Sequence, residues 1–124
     1  MYRVTVSARF EAAHNLIDYA GGPEPLHGHS YRVDAVLEAE RLQQYDLAVD
    51  FVAARRALES IAKELDYGYI NEHPAFVGRN TSAENLARHF ADRLAASGAL
   101  GRARVAEVTV WEGPENRATL SVRA

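Results

Sequence analysis

The 124-residue chain contains no cysteine. That absence excludes disulfides, thiolate metal ligands and thiol nucleophiles. Long apolar runs are missing as well. Nothing approaches the roughly 18 apolar residues of a membrane-spanning helix. The opening "MYRVTVSARF" alternates polar and apolar residues where a secretory leader would have a continuous apolar core. A cytoplasmic location without membrane attachment is expected. Neither charge sign dominates: 14 Lys and Arg stand against 17 Asp and Glu, interspersed, for a net charge of −3. This balance supplies no general pull on nucleic acid, although a local basic pocket for a small anion remains compatible with it.

What is present is ordinary for a globular protein, with 48% hydrophobic and 25% charged residues. The length suits one domain over residues 1–124. Tyr2, Val4, Val6, Ala8 and Phe10 share one face of a predicted strand over 2–10, followed by the long loop "EAAHNLIDYAGGPEP". Residues 30–39 alternate again, with Tyr31, Val33, Ala35, Leu37 and Ala39 on one face. Arg32, Asp34 and Glu38 lie on the other, which Val36 interrupts.

"DFVAARRALESIAKEL" carries Phe51, Ala54, Leu58, Ile61, Ala62 and Leu65 at helical spacing. "TSAENLARHFADRLAASG" predicts a second helix: Thr81 and Glu84 form a capping-box pattern, Leu86, Phe90 and Leu94 an apolar stripe, and Gly98 a stop. Residues 105–111 and 118–123 read as two further strands joined by the turn "EGPENR". The order ββααββ predicts an α+β fold, a four-stranded antiparallel sheet with both helices on one face. Uneven alternation at Val36 and from Ala106 to Val110 points to a homo-oligomer that covers the other face.

The most distinctive stretch is "PEPLHGHSY". His27 and His29, two apart in a strand, project to the same side. If the first two strands pair around the long loop, His14 joins them at the same end. Three imidazoles suit Zn2+ and leave a fourth position open, the arrangement of catalytic rather than structural sites. The alternative is a set of solvated histidines, which arises easily in a chain with five of them. His89, on a flank of the second helix's apolar stripe, is expected at the surface. His73, in a loop before Pro74, has no assigned role.

Six segments together resemble the 6-pyruvoyltetrahydropterin synthase and 6-carboxytetrahydropterin synthase family over essentially the whole chain. They are "FEAAHNL", "LHGHSY", "VDF" at 49–51, "LDYGYIN" at 65–71, "TSAENLA" at 81–87 and "VTVWEG" at 108–113. The resemblance implies a tunnelling fold (T-fold) whose subunits join their sheets into a barrel, usually a hexamer built as a dimer of trimers. It implies zinc on His14, His27 and His29, and a small-molecule pterin substrate. It also implies that Glu112 anchors the pterin ring and that Ser82 and Ala83 contact it. A carboxylate can accept two hydrogen bonds from the amino and ring N–H groups of a pterin; the alternative role of Glu112 is a charged residue entering a turn.

The chain departs from the commonest pattern of that family at two positions. Pro23 stands where the family has a catalytic cysteine, four residues before the first histidine of H-G-H. Tyr67, after Asp66, stands where it has a relay histidine. Asp66 and Tyr67 are therefore candidate catalytic residues, although a phenol with an unperturbed pKa of about 10 is a poor base at neutral pH.

Glu24 gives the pattern E-x-x-H-G-H, which resembles a subgroup with glutamate in place of the cysteine. Such members cleave 7,8-dihydroneopterin triphosphate to 6-hydroxymethyl-7,8-dihydropterin. Glu24 would act as general base there; its alternative is a solvated acid between two prolines. A 6-carboxytetrahydropterin synthase of queuosine biosynthesis and a pterin-binding protein without catalysis are the competing readings. Arg9, Arg32, Arg79 and Arg117 are the candidates for holding a triphosphate.

Overall fold

In the computed structural model, which describes residues 1–122, the longest pairing in the sheet is a two-stranded ladder. β1 (Tyr2–His14) and β2 (His27–Ala39) pair antiparallel along their whole length, from Tyr2 opposite Ala39 to His14 opposite His27. β1 runs four residues beyond the predicted end because Ala12 and His14 keep the inward alternation of Ala8 and Phe10. β2 likewise begins at His27. The two histidine-bearing ends thereby become part of the ladder, not of the loop.

α1 (Phe51–Lys63) starts at Asp50, whose side chain accepts hydrogen bonds from the N–H groups of Val52 and Ala53. A two-residue strand, β3 (Gly68–Tyr69), runs parallel to β1, and α2 (Ala83–Ala96), β4 (Arg104–Glu112) and β5 (Asn116–Ser121) complete the chain. The strand order is β3-β1-β2-β4-β5. The α+β expectation stands, with five strands where four were expected. Two residues are too few for any periodicity to reveal β3. The predicted last strand ran to Arg123, which lies outside the described residues.

Val6, Phe10, Val33, Ala35, Leu37, Val108 and Val110 point from the sheet against Ala54, Leu58 and Ile61 of α1 and Leu86, Phe90 and Leu94 of α2, all buried. Phe10 stacks on Tyr31 with ring centroids 4.7 Å apart and meets Phe90 at 5.7 Å. The opposite sheet face is polar. There Asp34 accepts from the Ser7 hydroxyl, the Arg32 guanidinium and the Trp111 indole N–H.

Two expectations need correction. The cap of α2 is Ser82, whose hydroxyl accepts from the N–H of Asn85 at 3.1 Å, and not Thr81. Thr81 is fully buried and used elsewhere. His89 is half-buried rather than on the surface, its Nε2 enclosed without a partner and its ring packed among those of His73, Phe76 and Phe90.

The uneven alternation also has a local cause. Val36 lies opposite Glu107 but Leu37 lies opposite Val105, so Ala106 is the extra residue of a β-bulge. Both Val105 and Ala106 are buried. The broken pattern from Ala106 to Val110 thus follows the bulge in β4.

Glu64, at the end of α1, joins the two helices. It accepts from both terminal nitrogens of Arg93 and bonds His73 Nε2 at 3.0 Å. The Arg93 and His73 hydrogen bonds hold its carboxyl down at about 2. A carboxyl depressed in the folded state contributes stability that is complete above its unfolded value near 4.5 and is lost as pH falls toward 2. Arg93→Ala should therefore flatten the loss of stability across that acid window, as measured by denaturant midpoints at a series of pH values. An unchanged slope would show that the pair contributes nothing.

Candidate active site

The ladder register determines the site. His14 and His27 are directly opposite, and His29 faces Ala12, so all three imidazoles leave the same face at the same end of the sheet. One nitrogen from each lies within 4.8 Å of the others. The rings meet edge to face, with centroids 4.7 to 5.1 Å apart.

Two of the rings have their orientation fixed from behind. His14 Nδ1–H donates to the Thr81 carbonyl at 2.8 Å, and His27 Nδ1–H donates to the Pro25 carbonyl at 2.9 Å. In each, the bond assigns the proton to Nδ1 and leaves the Nε2 lone pair free, the arrangement typical of metal-ligating histidines. Thr81 is itself tied down: its hydroxyl donates to Asn71 at 3.1 Å, and the Asn71 amide donates to the Asn15 carbonyl at 2.8 Å. Burial holds His29 below the usual imidazole range despite the Glu112 carboxylate beside it. The neutral form, the one that ligates metals, is thereby favoured.

The cluster fits a cation on its own chemistry. His14 Nε2 and His29 Nε2 are buried and lack any hydrogen-bond partner. An unsatisfied buried polar atom costs about 1–3 kcal/mol, a penalty that a bound ion removes.

Around the histidines stand two carboxylates. Glu24 reaches in from the loop, one oxygen 3.9 Å from His27 Nε2. The same oxygen accepts from the N–H of Leu16 at 2.8 Å, and the Glu24 N–H donates to the Leu16 carbonyl at 3.0 Å. Glu112 lies opposite Tyr31 on β4, and its Oε2 is 3.4 Å from His29 Nε2.

Tyr31 lies beneath both His14 and His29 with its hydroxyl enclosed and partnerless. Burial, followed by the charges of Glu112 and Glu24, pushes this phenol far above its ordinary range. It is a donor only.

The other sequence candidates are distributed unevenly. Tyr67 lines an open hollow with Glu11, Gly28, His29 and Ser30. Its φ of 55° is a left-handed conformation that costs a non-glycine residue on the order of 1 kcal/mol or more. Asp66 is not among the histidines. Its carboxylate accepts from the N–H of Glu11 at 2.9 Å and faces a separate hollow with Arg9, Arg55 and Lys63. Ser82 and Ala83 follow Thr81 into α2, with the Ser82 hydroxyl engaged in the cap. His73 is committed to Glu64 and supplies nothing to this cluster. Of the candidate arginines, Arg32 bonds Asp34 and Arg117 lies over the Trp111 ring.

Residues 3–122 match the family model described as 6-pyruvoyl tetrahydropterin synthase. The chain belongs to this family. All six segments that carry the resemblance fall within the match to the 6-pyruvoyl tetrahydropterin synthase family. Curated relatives differ in activity. The chain is 26% identical to 6-carboxy-5,6,7,8-tetrahydropterin synthase of Aquifex aeolicus, over 94% of this chain and 96% of that one. It is 28% identical to dihydroneopterin monophosphate aldolase of Pyrococcus furiosus, over 91% of each. Among solved structures, the 6-pyruvoyl tetrahydropterin synthase of Plasmodium vivax superposes with a TM-score of 0.78 at 19% identity, covering 99% of this chain and 98% of that one. The fold is thus that of the family, and the chain is a pterin-pathway enzyme of it.

Proposed function

We propose that the chain is a zinc-dependent lyase that cleaves the side chain of 7,8-dihydroneopterin triphosphate, or a lower phosphate of it, to 6-hydroxymethyl-7,8-dihydropterin. The observation that carries this reading is the position of Glu24. Pro23 can serve neither as acid nor as base, and the neighbouring carboxylate stands 3.9 Å from His27 Nε2 with a backbone N–H orienting it. The aldolase named among the relatives supports carbon–carbon cleavage. A Plasmodium vivax synthase of the same fold has a glutamate described as catalytic in its alanine variant, which supports a carboxylate in such a role.

His14, His27 and His29 would hold the zinc, whose Lewis acidity lowers the pKa of a hydroxyl brought to it. Glu24 takes the proton of the substrate's C2′ hydroxyl. The oxygen's electron pair becomes a C2′=O bond, the C1′–C2′ bond breaks, and its pair passes into the C6=N5 imine of the ring. Return of the proton from Glu24 to C1′ gives the hydroxymethyl product and releases a glycolaldehyde phosphate, with no co-reactant consumed. Glu112 holds the ring through paired hydrogen bonds, next to the backbone of Ser82 and Ala83. Tyr67 lines the open hollow that His29 also borders, and the Asp66 carboxylate ties the turn carrying it to the Glu11 N–H.

The Aquifex relative favours a second reading, formation of 6-carboxytetrahydropterin, which the missing cysteine and relay histidine oppose. A pterin-binding protein without catalysis is the third. Incubating the zinc-loaded protein with the triphosphate and with the monophosphate, and identifying the pterin formed, separates them. Hydroxymethyl-dihydropterin supports the lyase; carboxy-tetrahydropterin or unchanged substrate rejects it.

Glu112→Ala should weaken pterin binding about tenfold or more, the loss of a charge-assisted bidentate contact, while turnover of saturated enzyme falls less. Undiminished affinity in a fluorescence titration would remove Glu112 as the anchor. We also propose a homo-oligomer, a hexamer formed as a dimer of trimers. The unpaired edge of β5 and the 85% exposed Tyr67 beside the site are consistent with neighbouring copies, and light scattering would read the mass.

A further inference from the structure

Glu24 lies in the loop between β1 and β2, flanked by Pro23 and Pro25. The prolines make this short piece stiff, because each ring fixes its own φ and Pro25 keeps helical backbone from Glu24. Just upstream stand Gly21, at φ 94°, and Gly22, which give the chain freedom to swing. The place of the Glu24 carboxylate therefore depends on what pins the stiff piece down.

Leu16 pins it through backbone and carboxylate, as described above. A third bond comes from a side chain: Asn15 Nδ2 donates to the Glu24 carbonyl at 3.1 Å. That carbonyl requires a donor, so the amide turns its nitrogen toward Glu24 and its oxygen away. The oxygen receives the Tyr69 hydroxyl. Asn15 is also held through its main chain, its N–H donating to Asn71 Oδ1 at 3.2 Å and its carbonyl accepting from Asn71 Nδ2 at 2.8 Å. The two residues of β3 account for this arrangement. Tyr69 lies opposite Ala13 in the parallel pair, which brings it to the point where β1 passes into the loop.

A separate clamp acts farther along the loop. Asn80 Oδ1 accepts from the N–H groups of Ile17 and Asp18 at 2.8 and 3.1 Å, and Asn80 Nδ2 donates to the Asp18 carbonyl at 3.0 Å.

We propose that Tyr69 and Asn15 are positioning residues for Glu24: the phenol fixes the Asn15 amide, and the amide holds the Glu24 backbone so that the carboxylate stays beside His27. The inference rests on the reading of Glu24 as general base and adds the residues that place it. Both act through Glu24.

The test uses Tyr69→Phe, which removes one hydroxyl and keeps the ring, and Asn15→Asp, which keeps the acceptor for Tyr69 but sets an oxygen against the Glu24 carbonyl. With 7,8-dihydroneopterin triphosphate and zinc-loaded protein, kcat should fall about tenfold in Tyr69→Phe and up to about 100-fold in Asn15→Asp, the scale of a displaced catalytic group. KM and zinc content should hold. In a Glu24→Gln background, Tyr69→Phe should cost nothing further, because the group it places has already lost its function. A merely structural role would slow both backgrounds alike.

Amide exchange of the metal-free protein gives a readout without turnover. In Tyr69→Phe, protection of the Leu16 and Glu24 amides should fall about fivefold, the worth of one hydrogen bond. The Ile17 and Asp18 amides, held by Asn80, should keep theirs. Unchanged kcat, additive losses in the double variant, or zinc lost in step with activity would overturn the proposal. So would exchange that is unchanged at Leu16 and Glu24 or faster throughout the loop. If Glu24→Gln alone turns over like the wild type, the reading of Glu24 as base has failed, and the exchange pattern still decides whether the pair holds Glu24 in place.

Discussion

Glu24→Gln should reduce turnover of dihydroneopterin triphosphate by about 10²–10⁴-fold, the usual contribution of a positioned general base, with zinc content and fold unchanged. The amide is the right replacement because Glu24 has two functions. Its Oε1 accepts from the N–H of Leu16 at 2.8 Å, a bond that holds the loop. Glutamine keeps an oxygen for that bond and loses only the ability to take a proton. Alanine would remove both, and a slow enzyme could then reflect a displaced loop. Product formation by quenched-flow or chromatography, with zinc measured in the same samples, decides the matter. Turnover within a few-fold of wild type would remove Glu24 as the base and return attention to Tyr67, which lines the hollow beside His29.

The second large effect is on the metal. His29→Ala should weaken zinc binding by more than the 10–100-fold typical of losing an outer hydrogen-bond partner, because a direct ligand is removed. The protein should then be isolated with little zinc and form no product. The fold should survive, since His29 is only partly buried and the ladder around it is held by backbone bonds. His14→Ala is a poorer test. His14 is 2% exposed and bonded to Thr81, so its loss also opens a cavity and frees the chain before α2. A full zinc complement in His29→Ala, by elemental analysis, would end the three-histidine assignment.

The parts of this site differ in how far the sequence reveals them, for physical reasons. His27 and His29 are legible because a strand repeats every two residues, and His14 follows once the first two strands are taken as a hairpin. Glu24 is legible only by its family position. Its approach to His27 depends on bonds to Leu16, eight residues away, which no period encodes. Thr81 carries a misleading signal. A threonine three residues before Glu84 reads as a helix cap, yet Ser82 takes that task and frees the Thr81 carbonyl to orient His14. Tyr31 reads as one more inward aromatic. Nothing in the pattern shows that its ring is satisfied by Phe10 while its hydroxyl is not. The fold was more accessible than the site because burial repeats along an element and hydrogen-bond partners do not.

The bulge at Ala106 gives β4 two halves that are out of phase with each other. Val105 faces the core in one half, and Glu112, seven residues later, faces the same side in the other. An uninterrupted strand forbids this, since an odd separation puts two side chains on opposite faces. The extra residue therefore acts as a switch of parity. Removing it would force a choice between Val105 in the core and a carboxylate beside His29. A deletion of one small, buried alanine, chemically inert and outside the site, would send either Val105 or Glu112, the proposed ring anchor, to the far side of the sheet. Tolerance to substitution and tolerance to deletion should thus diverge sharply at this one position.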